Sequence, residues 1–143
     1  MINPFVKASI SISTDAEHVW RALTEPGLIA AWMLGAQVES LWQPGSDISY
    51  AVRMPGKDRL FHDRGTVLVA EYASLLKYNH WSEAAGLPDR PENRSTLTFR
   101  LEQHAEAALL TVLHEHFQSH AAYKHAEFFW SYALPDIKQL LEK

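Results

Sequence analysis

Eight histidines and no cysteine define the side-chain chemistry open to this chain. Without thiols, thiolate nucleophiles, thiolate metal sites and disulfides are excluded. Four of the histidines, His114, His116, His120 and His125, crowd the C-terminal part. Residues two apart on a strand share a face, so His114 and His116 would offer two imidazoles to one ion. Zinc needs a third protein ligand close by, and the spacing supplies none. No Gly-x-Ser-x-Gly elbow is present, and no Ser, His and Asp are spaced to assemble a nucleophile, a base and its orienting carboxylate. Asp63 and Arg64 adjoin in a predicted strand, where neighbours point to opposite faces. One of the two then faces inward, unless solvent takes both, the commoner fate of charged side chains.

A long terminal helix positions these groups. Over residues 119–143, Tyr123, Ala126, Trp130, Ala133, Ile137 and Leu140 recur at alternating steps of three and four, flanked by Phe129, Leu134 and Leu141. The stripe is wider than a coiled-coil seam and suits the concave side of a sheet. Ser119 is the expected N-cap. Pro135 offers no N–H to the carbonyl of Ser131, so a bend is expected between Tyr132 and Asp136.

Upstream, Val6, Ala8, Ile10 and Ile12 alternate with Lys7, Ser9, Ser11 and Ser13, which predicts a strand over residues 5–13 with one wet face. Thr14 and Glu17 read as a capping box opening a helix that carries Val19, Trp20 and Leu23. Pro26 suits the first turn of a second helix, with Leu28, Ile29 and Trp32 on its apolar side. From Gly35 the period changes to two. Strands are expected over residues 37–43 and around Ile48, Tyr50 and Val52, joined at Pro44-Gly45. A Pro55-Gly56 turn leads into residues 59–72, with Gly65 a bulge or bend, and then 75–81. Residues 83–93 hold two prolines, a glycine and four charges and read as a loop. Residues 94–102 and 108–117 complete the sheet. The order predicts an α+β domain, a curved antiparallel sheet of about six to seven strands wrapped around the terminal helix.

A chain of 143 residues fits one domain, which buries roughly 70% of the surface it exposes unfolded. No apolar run approaches bilayer length and the opening residues lack a signal-peptide pattern, so no membrane insertion is expected and the expected location is the cytoplasm. A formal charge of -4 with Lys and Arg scattered singly argues against a nucleic-acid surface. Five Trp, five Tyr and six Phe fill a core or line a pocket for flat, apolar ligands.

Several stretches together resemble a known family. They are Ile10-Ser11-Ile12, residues 19–26 (VWRALTEP), Trp32, the Pro44-Gly45 hairpin, Gly65-Thr66-Val67-Leu68, Leu76-Lys77-Tyr78, residues 94–99 (RSTLTF), 111–114 and 130–141. In order and spacing they are similar to the START-like superfamily, also called SRPBCC, whose fold is the helix-grip. Within it they look like the bacterial homologues of the heat-shock-protein-90 ATPase activator C-terminal domain. His80 departs from the aromatic that relatives often place two residues after the strand tyrosine, and His116 from their glycine before the last strand's phenylalanine.

The resemblance implies a cavity between sheet and helix for apolar molecules, and brings no shared catalytic motif. If Leu76 and Tyr78 face the helix, so does His80, and if Leu110 and Val112 do, so does His114. Two neutral imidazoles would then orient a ligand hydroxyl or carbonyl, or else satisfy neighbours in a filled core. The expected ligand site is Tyr50, Val67, Tyr78, His80, Phe99, His114, Tyr123 and Trp130, with Trp32 and Trp42 near its entrance. Three functions fit. The first is a binder of a small hydrophobic or lipid-like molecule, without catalysis or cofactor. The second is a chaperone-regulating interaction module, implied by the resemblance with no motif of the chain to support it. The third is a polyketide-cyclase-like or hydrolase-like enzyme with a histidine base. Monomer and homodimer are both compatible.

Overall fold

The computed structural model describes residues 3–54 and 56–143. Seven strands, β1 (Val6–Ile12), β2 (Gln37–Ser40), β3 (Asp47–Arg53), β4 (Leu60–Glu71), β5 (Leu75–Trp81), β6 (Ser95–His104) and β7 (Ala107–Glu115), form one antiparallel sheet. Their order is β1-β7-β6-β5-β4-β3-β2, so only the first strand is out of sequence. The helices are α1 (Ala16–Thr24), α2 (Pro26–Trp32) and α3 (His120–Leu141). The sheet curves around α3, the α+β helix-grip arrangement. No helix among the described residues is long and apolar enough to cross a membrane.

Burial follows the predicted stripe of α3: Ala126, Trp130, Ala133, Leu134, Ile137 and Leu141 are buried and Tyr123 and Leu140 half-buried. Fully enclosing one such aliphatic side chain stabilises the fold by roughly 2 kcal/mol. Ser119 caps the helix, its Oγ accepting from the Ala122 N–H at 3.0 Å. The helix continues through Pro135. At its far end, Lys138 Nζ donates to the Ser11 carbonyl at 2.7 Å and Glu142 accepts from the Ser13 N–H at 2.8 Å. These two contacts tie the C-terminal end of β1, an edge strand, to the end of α3.

Local chemistry moved several boundaries. The cap of α1 is Asp15 rather than Thr14: its Oδ1 accepts from the His18 N–H at 2.7 Å, while Thr14 Oγ1 pairs with His18 Nδ1 at 2.9 Å. Glu17 closes no capping box and instead accepts from the Tyr72 hydroxyl at 3.3 Å. β2 stops at Ser40, three residues short of expectation, because Trp42 adopts φ 53° and leaves the extended region. The register shift of β4 falls between Val67 and Val69 instead of at Gly65. Gly65 serves a close approach, since a Cβ there would collide with the Asn79 carbonyl oxygen of β5. Of the predicted Pro55-Gly56 turn, Pro55 lies outside the described residues and Gly56 has φ 77°. Residues 83–93 contain two short 3-10 turns, Glu83–Ala85 and Pro91–Asn93.

Candidate functional site

Ladder registers bring the inward side chains into rows across the sheet. One row runs Val6, His114, Leu97, Tyr78 and Val67 from β1 to β4. The next holds Ser95, His80, Gly65 and Ile48, and beyond it Tyr50 stands opposite Asp63. Onto these rows α3 lowers Trp130, its ring centroid 5.7 Å from Phe99 and 6.1 Å from Trp32. Phe99 lies 5.8 Å from Tyr78, and Tyr78 6.0 Å from Trp42. The result is a continuous series of rings from α2 to the β2–β3 turn.

Polar atoms are threaded through this apolar interior. The Trp130 Nε1–H donates to His114 Nδ1 at 3.2 Å. Because Nδ1 accepts, Nε2 carries the ring proton, and it donates to Ser95 Oγ at 3.0 Å. The Ser95 hydroxyl in turn donates to the His80 carbonyl at 3.5 Å. Burial, and secondarily the neighbouring His80, lowers the His114 pKa to about 3, so the ring is neutral near pH 7.

A second cluster lies farther along the sheet. His80 Nε2 is 2.9 Å from Asp63 Oδ2, and the other oxygen of Asp63 accepts from the Glu83 N–H at 3.1 Å. The Tyr50 ring meets His80 edge-on at 5.1 Å. Burial raises the pKa of both Tyr50 and Tyr78, and for Tyr50 the neighbouring Tyr78 and Asp63 add to the rise. Among the described residues no buried side-chain polar atom lacks a partner.

All eight expected site residues therefore belong to one connected cluster. Tyr123 is its rim, 5.7 Å from Phe117, whose ring lies 4.6 Å from His114. Both imidazoles point inward, His80 against the Tyr50 ring and His114 against Phe117 and Trp130. Of the Asp63 and Arg64 pair, Asp63 turns inward and Arg64 outward, its side chain 67% exposed. Trp42, expected near the entrance, joins the cluster through Tyr78, and Ser95 joins it through His114 without having been singled out. Ser95 shares the parity of Leu97 and Phe99, so the alternation could have included it. Trp32 and Trp130 are core, whereas Trp81 is half-buried on the outer face, donating to the Leu87 carbonyl at 2.9 Å.

The expected shared face of His114 and His116 does not exist. β7 ends at Glu115 and His116 takes φ 65°, which sends its ring to Thr96 Oγ1 at 2.9 Å, on the face away from Ser95 and His114. Among the described residues no three His, Asp or Glu side chains gather as a metal site. Ser95 and His114 touch but cannot act as nucleophile and base. The Trp130 donor fixes the proton on the nitrogen that faces Ser95, so that nitrogen has no lone pair to receive the hydroxyl proton.

The outer face of the sheet carries a separate polar cleft of about 370 Å³, lined by Asp47, Ser49, Arg64, Asp89 and Arg94 among others. Arg94 holds Asp89 through two bonds of 2.8 and 3.0 Å and reaches Thr66 and Asn79 at 3.1 and 2.9 Å. It thereby ties the 83–93 segment to the sheet.

Comparison with known proteins agrees with this architecture. The profile of the family described as Activator of Hsp90 ATPase homolog 1-like protein matches residues 13–142. A solution structure from Cytophaga hutchinsonii is 30% identical, with 99% of this chain and 97% of that one covered and a TM-score of 0.82. A crystal structure from Mesorhizobium loti is 24% identical, covering 96% of each chain with a TM-score of 0.76. The solution structure of the Aha1 dimer from Colwellia psychrerythraea is 18% identical, covering 97% of this chain and 96% of that one, with a TM-score of 0.75. No curated protein matches the chain. With its helix-grip fold and a profile match over almost its whole length, the chain belongs to the Activator of Hsp90 ATPase homolog 1-like protein family of the START-like superfamily.

Proposed function

We propose that the protein binds a small hydrophobic molecule between the inner face of the sheet and α3 and performs no chemistry on it. The observation that carries this reading is the ring series from Trp32 through Trp130, Phe99 and Tyr78 to Trp42, with His80 and His114 turned into it. Rings supply apolar contact, and a few inward polar atoms supply orientation, the usual composition of such sites. The ligand exchanges its own contacts for some of those the rings now make with each other. The fixed tautomer of His114 favours binding over a serine nucleophile.

Native mass spectrometry of the purified protein, followed by solvent extraction, tests the reading. A co-purified lipid or aromatic compound supports it, and its loss in His80→Phe or His114→Phe assigns the polar role. Protein that carries nothing and leaves an apolar fluorescent probe unaffected defeats it. That result would favour a second reading, an interaction module for a chaperone or a second copy. Its support is the family match, the dimer of the Colwellia structure and the 68%-exposed Phe128 on α3.

A further inference from the structure

Trp42 stands in an unusual place. Its φ of 53° is the left-handed region, which bulky residues seldom enter and which persists only where surroundings impose it. Two contacts impose it here. The Trp42 N–H donates to Ser40 Oγ at 3.0 Å, and the indole lies edge-on to the buried Tyr78 ring at 6.0 Å. The segment changes character on either side of this residue. Leu41 before it is 79% exposed. The turn after it is fixed, with the Gly45 N–H on the Val67 carbonyl at 2.8 Å and the Val67 N–H on the Ser46 carbonyl at 2.9 Å. Beside the same segment an open cleft of about 480 Å³ is lined by Glu39, Ser40, Leu41, Ser46 and Asp47.

We infer that Trp42 is a built-in occupant of the ligand site: its indole covers Tyr78, and a flat aromatic ring of the ligand takes its place when Leu41 and Trp42 swing outward. This rests on the binding reading above and adds to it the ligand's class and the point of entry. Relief of the left-handed conformation favours the outward state, while the Ser40 contact and the Tyr78 ring favour the inward one. The pinned turn confines the hinge to two residues. The adjoining cleft gives them room.

The test uses the full chain labelled with 5-fluorotryptophan, the Trp42 signal being assigned by its loss in Trp42→Phe, and 1-aminoanthracene as probe. On saturation the Trp42 fluorine signal should move to a solvent-exposed position. Trp42→Gly should bind the probe about tenfold more tightly, because the competing indole is gone. Ser40→Ala, which keeps the indole and guards against misfolding of the glycine variant, should speed probe association. A probe that binds while the Trp42 signal stays in place, or binds no better to Trp42→Gly and no faster to Ser40→Ala, overturns the inference and leaves the binding reading standing. Absence of binding by all three proteins overturns both.

Discussion

The indole N–H of Trp130 and Nδ1 of His114, 3.2 Å apart, join the terminal helix to the last strand through a half-buried neutral imidazole. The same bond fixes which ring nitrogen faces Ser95. One contact therefore links α3 to β7 and selects the tautomer that Ser95 meets.

Stability should fall in mild acid because of this ring. The folded pKa is about 3 against an ordinary value of 6.5, so between them the unfolded chain binds a proton that the folded chain does not. The contribution is fully present above about pH 6.5 and is lost as pH falls toward about 3, at up to about 1.4 kcal/mol per pH unit. Urea unfolding at pH 7.5, 6 and 5 should show a steeper loss for the natural chain than for His114→Gln. Equal slopes would place the sensitivity elsewhere.

Replacing His114 by Phe keeps the volume but strands the Trp130 N–H and takes away the donor to the Ser95 oxygen, whose hydroxyl keeps its bond to the His80 carbonyl. A buried donor left unpaired costs about 1–3 kcal/mol, and the thermal midpoint should drop accordingly. Trp130→Phe removes the donor together with its bond but also shrinks the ring against Phe99, so the two variants should be far from additive in a double-mutant cycle.

Gly65→Ala should destabilise by about 2 kcal/mol or more, since its Cβ meets the Asn79 carbonyl, a backbone atom that cannot rotate away. Gly27→Ala is the matched control. Nothing stands near its Cβ within α2, and the change should be neutral or stabilising by about 0.5–1 kcal/mol. Chemical denaturation of both variants checks the contrast.

Arg94→Ala should release the 83–93 segment without unfolding the sheet. Arg94 makes four bonds to Asp89, Thr66 and Asn79, and it is chiefly the bond to Arg94 that holds the Asp89 carboxyl below its ordinary pKa. Hydrogen exchange should quicken over these residues and stay slow in β6 and β7. Unchanged exchange would mean that the Glu83 contacts, to the His62 N–H at 2.7 Å and to Arg59 at 3.1 Å, suffice alone.

Much of the architecture is local and so was readable from the chain. The three-and-four spacing from Ala126 to Ile137 specifies the buried stripe of α3, and two-residue alternation turns Tyr78, His80, Phe99 and His114 to one face. Pro26 at a helix start and Ser119 at a cap are equally local. Competing local signals were less decisive. Thr14 and Asp15 both suit an N-cap, and only the packed backbone selected the aspartate.

Partnerships belong to the tertiary structure. Trp130 with His114 and His80 with Asp63 meet because of strand register and helix docking, at separations of 16 and 17 residues. The tautomer of His114, the outward turn of His116 and the left-handed Trp42 arise in the same way. Periodicity says which side of an element a residue occupies. What it touches there depends on how distant elements are brought together, and that is settled by packing the whole chain at once.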